Sequence, residues 1–314
     1  MMQHEFRNGR FHLPDQKGQA SLVEIMKWQM SGDKQKWPHF VENKKYPFPP
    51  ARVTGDKIST TWVGHSTVLI QTAGLNILTD PFFSDRASPF RFMGPKRVRN
   101  PGIAMADLPP IDVILLSHNH YDHLDQPALR TLAKNHSAKL ITPLGNSRHV
   151  SGHDVVELDW RQNQKIYNIN ITLMPALHWS KRSLRDTNRS LWGAFVIEGP
   201  QGMIYFAADT GYGIGQHFRE VHDTFGAPRL SLIPIGAYEP RWFMAPQHMN
   251  PKEAVQAHLD LKSQTSFAIH HGTVQLTDES IDAPVLALEE ALAEKALTRH
   301  DFLVPDIGET LVIR

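Results

Sequence analysis

The chain has 314 residues, an apolar content of 41% and a formal net charge of +1. This length suggests about two domains, although an α/β fold of this size can be one unit, and the apolar content suffices for a core. A charge near zero provides no field that would attract nucleic acid. Because the chain has no cysteine, it has no disulfide framework, and any metal must be held by His, Asp or Glu.

No apolar run in the sequence reaches the length of a membrane span. Glu24, Lys27 and Gln29 interrupt the one segment that could form the apolar core of a signal peptide. We therefore expect a cytoplasmic protein, and peripheral attachment to a membrane stays open.

Residues 1–56 differ in composition from the rest, and we predict an N-terminal extension before a main domain at 57–314. Within the extension, Ser21 to Met30 predicts a short helix, with Ser21 as N-cap and Glu24 three residues later as in a capping box. Its apolar face consists of Leu22, Ile25, Met26 and Met30. One interpretation is that this face packs on the main domain. The other is that the helix touches lipid or covers the site, and the sequence leaves both open.

From Ser59 the pattern becomes β-rich. Strands are predicted at Thr60 to Val63, Thr67 to Gln71 and Leu75 to Thr79. Pro81 ends the third strand and leaves Asp80 at its end, where a carboxylate could orient a metal-bound imidazole. In isolation, such an aspartate is more commonly a turn residue.

The segment from Phe82 to Pro110 is a basic loop. It carries Arg86, Arg91, Lys96, Arg97 and Arg99. Such a loop is either a solvated surface or, beside a metal site, a partner for phosphate.

The apolar run Ile111 to Leu116 leads into Ser117 to Asp125, where His118, His120, Asp122 and His123 form the pattern H-x-H-x-D-H. Imidazole suits zinc and similar transition metals, and a carboxylate adds an oxygen ligand. On a loop that leaves a strand, the first two histidines can hold one metal, while Asp122 and His123 turn towards a second. Solvated loop histidines would not explain this density, so the pattern predicts a metal site.

The later elements alternate between strands and helices, as in an α/β fold. Strands are predicted at Lys139 to Thr142, Val155 to Leu158, Ile169 to Met174, Ala194 to Ile197, Met203 to Ala207, Leu232 to Ile235, Ser266 to Ile269 and Thr310 to Ile313. Helices are predicted at Pro127 to Asn135, Gln216 to Thr224, Pro251 to Lys262 and Pro284 to Lys295. The helix at Pro251 is well marked, with Asn250 as N-cap and proline at its first position.

Three of these strands end near further candidate ligands: His178, Asp209 and His270. Each alone is more often an ordinary polar loop residue than a ligand. Together with the histidine-rich loop they can fill the coordination of two metals, but spacing alone does not divide the ligands between them.

The H-x-H-x-D-H pattern resembles the metallo-β-lactamase superfamily. More specific blocks resemble its N-acylphosphatidylethanolamine-hydrolysing phospholipase D family: Trp62 to His65, Leu78 to Pro81, Arg86 to Pro89, Met93 to Arg97, Ser117 to Asp125, His178 to Arg182, Leu191 to Gly193, Asp209 to Tyr212 and Pro234 to Met244. The similarity runs from about Thr60 to Thr273. His271 replaces a frequent tryptophan and Ala208 a glycine, and the extension matches little beyond Asn8 to Phe11.

The resemblance implies an α/β fold, the metallo-β-lactamase-like four-layer αββα sandwich, with two Zn²⁺ or other divalent transition metals. It groups His118, His120 and His178 on one metal and Asp122, His123 and His270 on the other, with Asp209 bridging both and Asp80 orienting a ligand from behind. The implied reaction is hydrolysis of an N-acylated phospholipid to phosphatidic acid and an N-acylethanolamine, a step in lipid metabolism. The partner is then a phospholipid or other phosphodiester, with peripheral membrane contact and without nucleic acid.

The catalytic candidates are Asp122, Asp209, His248 and Gln247. The last two follow Trp242 to Met244 and could contact the phosphate or the leaving group, although such a pair is commonly surface polar. The aromatic segment itself either lines an acyl channel or belongs to the core.

Two alternatives stay open at this stage. One is a metal-dependent lactonase or phosphodiesterase that acts on a small soluble substrate. The other is a non-catalytic metal-binding scaffold, against which the complete ligand set argues.

Overall fold

A computed structural model describes residues 1–13, 22–31 and 34–313 of the chain. In chain order these residues form β1 (Glu5–Arg7), β2 (Arg10–His12), α1 (Leu22–Met30), β3 (Ile58–Gly64), β4 (Thr67–Thr72), β5 (Leu75–Thr79), β6 (Val113–Leu115), α2 (Gln126–Asn135), β7 (Lys139–Pro143), β8 (Asp154–Leu158), β9 (Asn163–Ile166), β10 (Ile169–Met174), β11 (Ala194–Gly199), β12 (Gly202–Phe206), α3 (Gln216–Phe225), β13 (Leu230–Pro234), α4 (Arg241–Met244), α5 (Pro251–Leu261), β14 (Thr265–Ile269), α6 (Ala283–Glu294), β15 (Phe302–Leu303) and β16 (Thr310–Ile313). Short 3₁₀ turns lie at Met105–Asp107 and Ser147–His149.

Two seven-stranded sheets share one design. The first has the order β16-β3-β4-β5-β6-β7-β8 and the second the order β15-β14-β13-β12-β11-β10-β9. In each, one half pairs antiparallel and the other half parallel. The parallel halves, β5 to β8 and β12 to β15, send their carboxyl ends to a common edge within each sheet, where loops can carry functional side chains.

Alternating side chains build four layers. On β4, Val68 and Ile70 point into the core between the sheets, while Leu69 joins a cluster with Leu129 and Leu132 of α2. Both faces of the strand are therefore buried, because successive strand residues point to opposite faces. The outer face of the second sheet is covered in the same way by α3, α5 and α6. This arrangement confirms the αββα sandwich.

The helix α5 begins where the sequence predicts. The Asn250 side chain accepts from the main-chain N–H of Glu253 at 2.8 Å, and the Glu253 carboxylate accepts from the N–H of Asn250 at 3.0 Å. This capping box satisfies donors that the helix leaves unpaired. One residue earlier, Met249 donates its N–H to the Thr210 carbonyl at 3.0 Å, so the cap fixes the segment that approaches the second sheet's loops.

Helix α1 packs on the main domain through a residue outside its predicted apolar face. Trp28 stacks on Phe243 of α4 with ring centroids 5.0 Å apart, and its indole N–H donates to Asp278 at 2.7 Å. Met26 and Met30 of the predicted face are largely exposed. The predicted N-cap, Ser21, lies outside the described residues, and the division of the chain at residue 56 stays a prediction.

The basic loop after β5 is not solvated throughout. Arg97 is buried, with its guanidinium donating to the carbonyls of Phe82 at 2.8 Å and Ser84 at 3.1 Å and lying over the Phe82 ring. Burial lowers the pKa of Arg97 to about 10. The side chain thus braces the loop from inside, whereas Arg91 and Lys96 of the same loop are exposed, as a solvated surface requires.

Among the described helices, none has the length and apolar character required to cross a membrane.

Candidate metal centre

Six strand ends meet at one edge of the sandwich. The loop after β6 carries Ser117 to Asp125, and the ends of β3, β5, β10, β12 and β14 lead to His65, Asp80, His178, Asp209 and His270. Several of the turns are sharp: φ is positive at His65 (55°), Asp80 (30°) and His270 (59°). Such conformations cost free energy in residues other than glycine and cluster at functional sites.

The first cluster joins three imidazoles. Nδ1 of His120 lies 2.9 Å from Nε2 of His118 and 3.1 Å from Nε2 of His178. Burial, reinforced by the neighbouring histidines, holds the pKa of His118 well below its usual value, so this ring is neutral.

The outer nitrogens show where the protons of these rings lie. Nδ1 of His178 faces the Gln247 carbonyl at 3.1 Å and must donate to it, and Nδ1 of His118 faces Ser117 Oγ at 2.9 Å. Ser117 Oγ is itself 2.6 Å from an Asp80 carboxylate oxygen, to which it donates, so it accepts from His118. Both Nε2 atoms consequently direct lone pairs at Nδ1 of His120, which can donate one proton at most. Three convergent nitrogens of this kind suit a cation.

The second cluster is built around two carboxylates. Asp122 Oδ2 lies 3.4 Å from Nε2 of His123 and 3.5 Å from Nε2 of His270. Asp209 Oδ2 lies 3.1 Å from both of these nitrogens and 3.8 Å from Nε2 of His178 in the first cluster. Asp209 therefore stands between the two groups.

Electrostatics keep both carboxylates ionised. Burial alone would raise the pKa of Asp122 and Asp209, but His123 and hydrogen-bonding histidines hold both well below the usual value. For His123 and His270, burial is outweighed by the surrounding carboxylates; the pKa of His270 is raised to about 9 and that of His123 well above its usual value. Without metal, these imidazoles take up protons in place of a cation.

Asp80 holds His123 from behind. Its Oδ2 accepts from His123 Nδ1 at 2.7 Å, and its Oδ1 accepts from the Ser117 N–H at 2.7 Å. With one proton fixed on Nδ1, Nε2 of His123 is the atom that would give up its proton and supply a lone pair to a metal.

These residues fit a metal. Oδ1 of Asp209 is buried and has no hydrogen-bond partner, and the buried Nε2 atoms of His123 and His270 face the two carboxylates at 3.1–3.5 Å. Unpaired buried polar atoms cost about 1–3 kcal/mol each. Imidazole nitrogen and carboxylate oxygen are suitable zinc donors, and coordination would satisfy all three atoms.

The two remaining candidates differ in how they reach the site. The His248 ring lies 5.2 Å from the His178 ring and 5.6 Å from the His270 ring, and its buried Nδ1 has no hydrogen-bond partner. Its ring also approaches Asp209 closely enough for both to touch one ion. Gln247 touches the centre through its main-chain carbonyl, whereas its side-chain amide contacts Met244 Sδ at 3.7 Å.

The sequence interpretation missed His65. Its Nε2 lies 2.9 Å from Asp122 Oδ2, and its ring lies on that of His270 with centroids 4.0 Å apart. Its position at the end of β3, within the Trp62 to His65 block, was the available signal. Arg182 was also missed: it donates to the carbonyls of Asn119 and Leu124 at 2.9 and 2.7 Å and so braces the histidine-rich loop.

The two departures from the family pattern are both next to predicted ligands. Ala208 has a φ of 51°, the region that favours glycine, so glycine would fit this position with less strain. His271 is buried against Trp62 with ring centroids 4.6 Å apart.

Comparisons with known proteins agree with this architecture. A family model described as a beta-lactamase superfamily domain matches residues 75–271. The chain is 38% identical over 264 residues to an N-acyl-phosphatidylethanolamine-hydrolyzing phospholipase D of Caenorhabditis elegans, covering 79% of this chain and 74% of the relative. A mitochondrial protein of the same description from Saccharomyces cerevisiae is 37% identical, covering 81% and 55%. A metallo hydrolase structure from Ignicoccus hospitalis superposes with a TM-score of 0.62 at 18% identity, over 82% of this chain and 99% of that one.

Proposed function

Since this chain belongs to the N-acylphosphatidylethanolamine-hydrolysing phospholipase D family of the metallo-β-lactamase superfamily, and is a metal-dependent hydrolase, we propose that it binds two zinc ions and hydrolyses an N-acylated phosphatidylethanolamine. The products would be phosphatidic acid and an N-acylethanolamine. The observation that carries the proposal is the pair of adjacent donor clusters with Asp209 between them.

Each cluster would hold one ion. His118, His120 and His178 would bind the first, Asp122, His123 and His270 the second, and the Asp209 carboxylate would serve both. His65 and Asp80 would fix the donors of the second ion, because each holds a ligand by a hydrogen bond of 2.9 Å or less.

When bound, two such cations would supply positive charge for the phosphoryl oxygens and would lower the pKa of a water molecule. The ionised carboxylates of Asp122 and Asp209 could orient that water by accepting hydrogen bonds from it. His248 lies beside both clusters with a ring nitrogen free to form a hydrogen bond, so it would contact a phosphoryl oxygen or the leaving alkoxide. Gln247 would act through its carbonyl, by keeping His178 in the required tautomer.

The proposal is tested with zinc-loaded protein and N-acylphosphatidylethanolamine dispersed in detergent micelles, with products followed by mass spectrometry. We expect the wild type, but not Asp209→Asn, to release N-acylethanolamine and phosphatidic acid. No release, together with turnover of a generic phosphodiester or a lactone, would retain the metal-dependent hydrolase and refute the lipid substrate.

A second variant tests His248. We expect His248→Ala to retain both metals and to lose turnover by about 10²-fold, as is typical when a charge-stabilising donor is removed. Full turnover with intact metal content would remove His248 from the mechanism.

A further inference from the structure

A finger formed by residues 86–96 projects beside the histidine-rich loop, Ser117 to Asp125, which is called the metal loop below. Its base is closed by a bridge between Arg86 and Lys96 and by the Ala87 N–H, which donates to the Pro95 carbonyl at 3.0 Å. Gly94 has a φ of 99°, and a Cβ there would lie 2.6 Å from the Cβ of Ser88. The two arms thus cross at a distance that only glycine permits, so the finger has a defined conformation.

The tip of the finger is apolar and exposed. Phe92 is 80% exposed, Met93 56% and Phe90 47%, and the rings of the two phenylalanines lie 5.7 Å apart. Arg91 stands between them and is also exposed. Scattered apolar residues on a surface need no explanation, but a contiguous group on a held tip marks an interaction site.

A groove of about 1100 Å³ lies between the finger and the metal loop. Its walls include Phe90 and Arg91 from the finger, Tyr121 and Leu124 from the metal loop, and Arg130 from α2. Within the ranges that the structure describes, Arg91 and Arg130 form no ion pair.

The groove also contains three carboxylates, of which Asp85 is exposed while Asp125 and Asp186 accept hydrogen bonds from main-chain N–H groups. Asp125 accepts from the main-chain N–H groups of Phe83 and Ser84, and Asp186 accepts from those of Arg182 and Ser183. Four arginines, Arg86, Arg91, Arg130 and Arg182, line the groove against these three carboxylates, so Arg91 and Arg130 can attract an external anion.

We propose that the finger tip inserts into the interface of a membrane that contains anionic lipid, with Arg91 and Arg130 facing the headgroups. Aromatic and thioether side chains lie at the boundary between headgroups and acyl chains, and arginine reaches anionic headgroups from the same depth. The groove then leads lipid from the membrane towards the metal loop. This second part rests on the proposed lipid hydrolase function, whereas binding of the tip to a membrane does not.

The test is cosedimentation of the full chain with vesicles of phosphatidylcholine alone or of phosphatidylcholine and phosphatidylglycerol. We expect the wild type to bind the anionic vesicles, and Phe92→Ser/Met93→Ser to lower the partition coefficient at least about tenfold. Arg91→Ala should reduce the preference for anionic vesicles. Leu286→Ser, which removes another exposed apolar side chain, on α6, is the matched control and should bind like the wild type.

Equal binding by the wild type and the tip variant would overturn the proposal, as would the absence of vesicle binding. If sedimentation velocity showed that the tip variant only converts a dimer to a monomer, the tip would be an interface between copies and the proposal would be wrong. Tip-dependent vesicle binding without release of N-acylethanolamine would retain the docking site and refute the substrate. Release of N-acylethanolamine from micelles without vesicle binding would retain the substrate and refute the docking site.

Discussion

Replacing Asp80 by asparagine tests how the fold prepares the metal centre. The side chain is fully buried and accepts three hydrogen bonds, from His123 Nδ1 at 2.7 Å and from Ser117 N and Oγ at 2.7 and 2.6 Å. Asparagine has the same shape but only one acceptor oxygen. If the amide group faces His123, Nδ1 must accept and the proton moves to Nε2, the atom that would bind metal. If it faces Ser117, two N–H donors oppose each other.

The expected losses of zinc affinity and of folding stability can both be estimated. Mutation of a residue that orients a metal-ligating histidine typically lowers metal affinity by about 10–100-fold, which corresponds to about 1.4–2.8 kcal/mol. A buried donor left without an acceptor destabilises the fold by about 1–3 kcal/mol. Because His123 can change its tautomer whereas the Ser117 N–H can only donate, the amide group should face His123. We therefore expect Asp80→Asn to lose at least tenfold in zinc affinity and to unfold at a lower urea concentration.

The assay is zinc competition against a chelator at fixed pH, with urea unfolding measured in parallel. Glu279→Gln is the matched control, because Glu279 is also a buried carboxylate that accepts main-chain N–H groups, those of Ala237 and Glu239 at 2.7 and 3.1 Å. The control should lose stability while keeping zinc affinity. Unchanged zinc affinity in Asp80→Asn would refute the claim that Asp80 sets the tautomer of His123.

Three further predictions concern the same edge of the sandwich. Ala208→Gly should raise the free energy of unfolding by about 1 kcal/mol in urea titrations, because an L-residue at φ 51° is strained and glycine is not; a loss of stability would contradict this. His65→Phe keeps a ring against His270 but removes the hydrogen bond to Asp122, so zinc affinity should fall by about tenfold, and an unchanged value would show that His65 only fills space. Zinc affinity should also rise with pH up to about 9, because His270 has a pKa raised to about 9 and is protonated below it when metal is absent. Each proton that the metal must displace raises zinc affinity about tenfold per pH unit. A zinc affinity that stays constant between pH 6 and 8 in chelator competition would contradict a protonated His270.

The fold was predictable because its signals are local. Strand-length apolar runs, the cap at Asn250 and the alternation of strands and helices each depend on a few neighbouring residues, and the structure places elements at those positions. The short strands β1, β2, β9 and β15 and the helix α4 were missed. These elements are short, and several of their residues are polar. The four strands are defined by the strands they pair with and not by their own sequences.

The candidate site was predictable where several donor residues are adjacent in sequence. The metal site was evident from the closely spaced residues His118, His120, Asp122 and His123. His65 gains a role only when β3 brings it to Asp122. The burial of Arg97 had no sequence signal, because the carbonyls that receive its N–H groups belong to a loop conformation.

The most direct test of the central claim is hydrolysis of N-acylphosphatidylethanolamine in water enriched in oxygen-18. Attack of water on phosphorus, with loss of the N-acylethanolamine alkoxide, predicts label in the phosphatidic acid and none in the N-acylethanolamine. Label in the N-acylethanolamine, or the appearance of diacylglycerol in place of phosphatidic acid, would contradict the proposed reaction.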